Sequence, residues 1–126
     1  SPHLLAYVRE TTGVVGPLVV PGSTGCLLCL DLHRRDRDPG WPVVALQLGR
    51  GAATSACDVG LATLVAAQAA LQALAHLDGT ETVVRDATLE TSLRSGATRR
   101  RSWSPHPGCG CRWAHLVDQA PEAAAR

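Results

Sequence analysis

Pro21-Gly22-Ser23-Thr24-Gly25-Cys26-Leu27-Leu28-Cys29 places a close cysteine pair directly after an apolar run, and Cys109-Gly110-Cys111 places a second pair near the far end of the chain. A zinc ion prefers four thiolates in a tetrahedron, and one C-x-x-C turn and one C-x-C turn each supply two of them. Gly25, Gly108 and Gly110 stand where such turns need a residue without a side chain. The expected structural zinc ligands are therefore Cys26, Cys29, Cys109 and Cys111. Redox thiols and unpaired structural cysteines are the competing readings, and disulfides fit least: the count of five is odd and the chain is long for a disulfide scaffold. His106 could replace one sulfur but would be redundant.

With 126 residues and 45% hydrophobic content the chain reads as a single globular domain over 1–119, with a frayed tail over 120–126. Aromatic residues are scarce, so the core falls to Val, Leu and Ala. A formal charge of +1 gives no general attraction to nucleic acid or membrane. All twelve basic residues are arginine, which excludes a Walker A lysine and Schiff-base chemistry. The absence of methionine, even at position 1, suits an internal segment better than a native start, and the cysteine usage fits a reducing cytoplasm.

Leu4 to Arg9 and Val14 to Val20 read as a hairpin, with Pro17 demoting the second strand to an edge or marking a bulge. Helical turns are expected over Leu27 to Arg35, ending at Asp36-Arg37-Asp38-Pro39-Gly40, and a short helix from Pro42 through Leu48. The dominant element runs from about Asp58 to Leu77, where Leu61, Leu64, Val65, Leu71 and Leu74 fill one side of a helix and Gln68, Gln72 and His76 mark a polar stripe. The stripe argues for a buried helix rather than a membrane span, and Asp78-Gly79 ends it. Two strands follow, about Thr82 to Leu93 with an irregularity at Asp86, and Ala97 to Trp103, joined by Arg94-Ser95-Gly96. The fold class is α/β: mixed β hairpins packed on one long buried helix, with a zinc knuckle.

Three further features carry a functional and a plain reading. Gly49-Arg50-Gly51-Ala52-Ala53-Thr54 is a degenerate dinucleotide fingerprint without its third glycine, and reads as a loop. Arg99 and Arg101 share one strand face and Arg100 the other, which is first a solvated strand and only second a nucleic-acid surface. Cys57 precedes the long helix, where a dipole stabilises a thiolate, but Asp58 opposes that and no histidine or lysine is near in sequence.

The run from Val14 to Pro39, with Gly16-Pro17, Pro21-Gly22, Cys26-Leu27-Leu28-Cys29 and Leu30-Asp31-Leu32-His33-Arg34, resembles a signature of actinobacterial ThiF/MoeB-type proteins of the ubiquitin-activating-enzyme superfamily. Leu61 to Gln72 resembles the helix after that family's adenylation core, and Trp103, His106-Pro107 and Cys109-Gly110-Cys111 resemble its closing zinc half-site. Within the superfamily the chain is most similar to the cyclodehydratase-associated branch of azole-containing peptide biosynthesis.

The resemblance implies the C-terminal, zinc-binding half of a ThiF-like Rossmann-type domain. ATP and Mg²⁺ would be bound only by upstream residues of a full-length relative. It also implies a peptide or carrier-protein substrate, a cyclodehydratase partner and a homodimer, with no membrane role. Some relatives use a cysteine near the place of Cys57 in thiol chemistry. Others bind a precursor peptide's leader without ATP chemistry, as a non-enzymatic scaffold would.

Overall fold

A computed structural model describes residues 1–49 and 57–111 of the chain. Its elements are β1 (His3–Arg9), β2 (Thr12–Val19), α1 (Leu27–Arg37), α2 (Trp41–Gly49), α3 (Val59–Leu77), β3 (Ala87–Ser92) and β4 (Thr98–Ser102). The strands form one antiparallel sheet in the order β1-β2-β3-β4. Most of the Gly49–Thr54 motif and the whole 120–126 tail lie outside the described residues.

β2 is an inner strand, so the edge reading of Pro17 does not hold while the bulge reading does. Leu4 pairs with Leu18 and Ala6 with Val15, leaving Gly16 and Pro17 opposite a single β1 residue. The irregularity reverses the facing of the strand's second half. Val15 and Leu18, three positions apart, consequently enter the same buried cluster with Val65 and Val84. Gly16 has a φ of 103°, and a Cβ there would lie 2.5 Å from the Ala87 carbonyl oxygen, so only glycine fits.

α3 crosses the sheet on this face. Asp58 caps it by accepting from Leu61 N–H at 3.0 Å, and Gly79, at φ 74°, closes it. Its close approach depends on Gly13, where a Cβ would come within 2.5 Å of Val65 Cγ2. The expected extent of the helix is met, but its expected burial is not. Leu61 and Val65 are buried, whereas Leu71, Leu74 and Leu77 are 65%, 55% and 77% exposed. One sheet covers one narrow stripe of a helix, and no second layer among the described residues covers the rest. The polar stripe is partly used, since Gln72 Oε1 accepts from Val83 N–H.

The opposite sheet face carries Tyr7, Thr88 and Glu90, and α1 reaches it through long side chains. Arg34 donates to the Tyr7 hydroxyl, and Arg34, Arg37 and Arg101 lie over the buried Trp103 ring. Trp103 Nε1 donates to Thr88 Oγ1 at 3.0 Å. The arginine run alternates as expected: Arg99 and Arg101 both pair with Glu90, while Arg100 donates to the Val83 carbonyl.

Candidate metal centre

Four sulfurs from opposite ends of the chain converge at the start of α1. The loop that delivers the first pair is closed by Thr24, which is 1% exposed: its Oγ1 accepts from Val20 N–H, and its own N–H donates to the Val20 carbonyl. Asp86 accepts from Gly25 N–H at 2.8 Å through its side chain and from Trp103 N–H at 2.7 Å through its carbonyl. With φ at 49°, Asp86 is the expected irregularity, but it precedes the strand instead of interrupting it: β3 begins at Ala87 and not near Thr82, and Asp86 sets the first knuckle against the end of β4. Cys26 is the N-cap of α1 and Cys29 lies in its first turn. The cysteines therefore tie a helix start to the segment after β4.

The Cys26 and Cys29 sulfurs are 3.8 Å apart, Cys26 and Cys109 3.6 Å, and Cys29 and Cys111 3.4 Å. All four lie within 4.8 Å of one another. A tetrahedron with Zn–S bonds of about 2.3 Å has edges of about 3.8 Å, so the donor set fits one tetrahedral thiolate-bound metal ion. The thiols are free rather than disulfide-bonded.

Their ionisation points the same way. Burial works against the Cys29 thiolate, but backbone hydrogen bonds from His106 and Cys26 and the thiols of Cys111 and Cys109 outweigh it, bringing its pKa from 9.0 to about 7. Cys111 moves upward, through burial and then through Cys29, Cys109 and Cys26. For Cys109 a backbone hydrogen bond and the thiol of Cys111 lower the pKa, yet burial and the Cys26 and Cys29 thiols prevail and raise it. Ionisation is thus easiest at Cys29 and opposed at Cys109 and Cys111, where one thiolate repels a second and a cation would relieve the repulsion.

A second group of metal-binding residue types, His33, Asp36 and His106, adjoins the sulfurs. Its hydrogen bonds exclude a ligand role for His106. Gly108 N–H donates to His106 Nδ1 at 2.9 Å, which puts the imidazole proton on Nε2, and Nε2 donates to Asp36 Oδ2 at 2.6 Å. Neither nitrogen keeps a lone pair for a metal. Cys57 lies apart from the sulfur cluster, exposed, its thiol directed to the Asp58 carbonyl at 3.4 Å.

Solved structures share this arrangement of elements. The chain has the fold of part of MccB. E. coli MccB with ATP superposes with a TM-score of 0.64 at 21% identity, over 87% of this chain. MccB described as the microcin C7 biosynthetic enzyme, in complex with N-formylated MccA, superposes at 0.65 with 18% identity over 88%. A heterocyclase in complex with substrate and cofactor gives 0.64 at 18% identity over 87%. The chain spans 31% of the length of the first, 33% of the second and 17% of the third. At these identities the likeness establishes the fold, in agreement with the ThiF/MoeB-type resemblance carried by the sequence. No protein-family model and no curated protein matches the chain.

Proposed function

We propose that this chain is the zinc-stabilised portion of a ThiF-type peptide-modifying enzyme, an adenylyltransferase or a cyclodehydratase component acting in the cytoplasm on a peptide or carrier-protein substrate. The observation that carries the reading is the shared fold with MccB over 87% of the chain, seen for MccB with ATP and, over 88%, with MccA. The four cysteines are structural in it: a closed four-thiolate shell leaves no open position for water or substrate. ATP and Mg²⁺ would be held by residues outside this chain, which has no lysine for phosphate. Cys57 is a candidate thiol for chemistry only in a sulfur-transferring relative.

The encoded full-length protein tests this by peptide-dependent exchange of pyrophosphate into ATP. Exchange stimulated by a candidate precursor peptide supports the reading, and a protein that carries a glycine-rich nucleotide loop yet shows no exchange would remove the adenylating role. A second reading, a non-enzymatic scaffold that holds a leader peptide for a partner enzyme, is favoured by the apolar side of α3, where Leu71, Leu74 and Leu77 stand exposed. Leader binding without exchange would select it. The same face is where a homodimer would form.

A further inference from the structure

We infer that His106 is the positioning residue of the metal centre, holding both cysteine pairs in register from outside the ligand shell. Residue type alone would class it as a ligand, and the bonds described above rule that out. What remains is a residue bonded both to the turn that carries one cysteine pair and to the helix that carries the other. Its carbonyl accepts from Cys109 N–H at 3.0 Å and its Nδ1 from Gly108 N–H at 2.9 Å, so the turn that presents Cys109 and Cys111 is wrapped around it. Its Nε2 anchors the assembly to Asp36 on α1.

The helix is built to receive it. Cys29, His33 and Asp36 follow one another at intervals of four and three, and so lie along one face of α1. At the first position is a sulfur ligand. At the second, His33 packs edge-on to the His106 ring, with centroids 4.8 Å apart, and its Nε2 donates to the Ser104 carbonyl at 2.7 Å. The third is the carboxylate that fixes the ring. A ring held on both nitrogens and along one edge has little freedom, and the Gly108 N–H it engages belongs to the backbone between the ring and the second sulfur pair. Partners of this kind usually contribute about 10- to 100-fold to metal affinity.

The inference rests on the four cysteines holding a metal. That premise is checked separately by titrating the unaltered full chain with Co²⁺, where an intense thiolate-to-cobalt absorption at one ion per chain is expected. Three variants then examine the residue itself, by Zn²⁺ affinity in competition with a chelator and by circular dichroism. His106→Ala removes both side-chain bonds, and a 10- to 100-fold loss of affinity is expected with one Co²⁺ still bound by four sulfurs. His106→Asn can still accept from Gly108 N–H through its amide oxygen, as asparagine does in turns, and should recover most of the loss. Asp36→Ala cuts only the anchor and should fall between them. If His106→Ala does not fold, the other two decide. Affinity unchanged within threefold in all folded variants would overturn the inference. So would two bound ions in the parent chain falling to one on substitution of His106, because the ring would then be a ligand.

Discussion

His106 Nε2 donates to Asp36 Oδ2 at 2.6 Å across a sequence separation of 70 residues. This bond holds the Asp36 carboxyl below the usual carboxylate pKa; desolvation opposes it, and the charges of His106, Arg35 and His33 add smaller help. A depressed folded pKa contributes stability that is fully present above the unfolded value of about 3.9 and is lost as pH falls through the folded one. The Asp36 carboxyl carbon should therefore titrate by ¹³C NMR with a midpoint under 3.9, and Asp36→Asn should narrow the gap between melting temperatures at pH 6 and at pH 3. The effect is small because the group is exposed, and a midpoint at or above the ordinary value would contradict it.

Metal content offers the bluntest check. Elemental analysis of the chain purified under reducing conditions should give about one zinc per molecule, and Cys109→Ser should abolish it. Since a structural site contributes to folding directly, chelation should lower the melting temperature, weaken cooperativity and reduce stability by about several kcal/mol, short of the roughly 10–16 kcal/mol of a zinc finger that has no other core. A chain that is zinc-free as purified and melts unchanged with chelator would end the zinc reading.

Contact between α3 and β2 hangs on Gly13. An added Cβ would meet Val65 Cγ2 at 2.5 Å and Leu61 Cδ1 at 3.1 Å, and both side chains are in the core. Gly13→Ala should cost about 1–3 kcal/mol in urea unfolding through overpacking. Gly16→Ala should cost more, because its neighbour at 2.5 Å is a backbone oxygen that cannot rotate away and its φ of 103° excludes a side chain. Equal stability of Gly13→Ala and the parent would mean that the helix stands farther from the sheet.

Trp103 offers a probe of the α1 face. It is 6% exposed, and its indole N–H is bonded to Thr88 Oγ1. Trp103→Phe keeps the ring among the arginines but leaves the Thr88 hydroxyl with one partner fewer, for an expected loss of about 1–3 kcal/mol. The double variant with Thr88→Val should recover part of this, and a purely additive result would show that the hydrogen bond is not the source.

What the sequence disclosed and what it withheld follow from how far apart the interacting groups lie. The cysteine pairs are legible because each is confined to three or four residues, and the span of α3 because Asp58 and Gly79 mark its ends locally. Burial of α3 is misread because an Ala- and Leu-rich helix looks the same whether one layer or two cover it. Pro17 gives two options, and only the pairing of β1 with β2 chooses the bulge. His106 reads in sequence as a spare ligand rather than a hydrogen-bonded one, because its partner Asp36 is on another element, although the Cys29-His33-Asp36 spacing on α1 is a visible sign that this helix face has polar work to do.

The bulge at Gly16 and Pro17 has a consequence for how this chain can vary in length. Deleting either residue would restore simple alternation with one residue opposite Leu5, and Leu18, then two positions from Val15, would still pair with Leu4 and face Val65 and Val84. The loop that carries Cys26 would still leave the strand from Val19 opposite His3. Homologues that keep the metal centre can therefore lack one residue between Val15 and Leu18, whereas a one-residue gap elsewhere in β2, with no extra residue to absorb it, would exchange inside for outside over the rest of the strand.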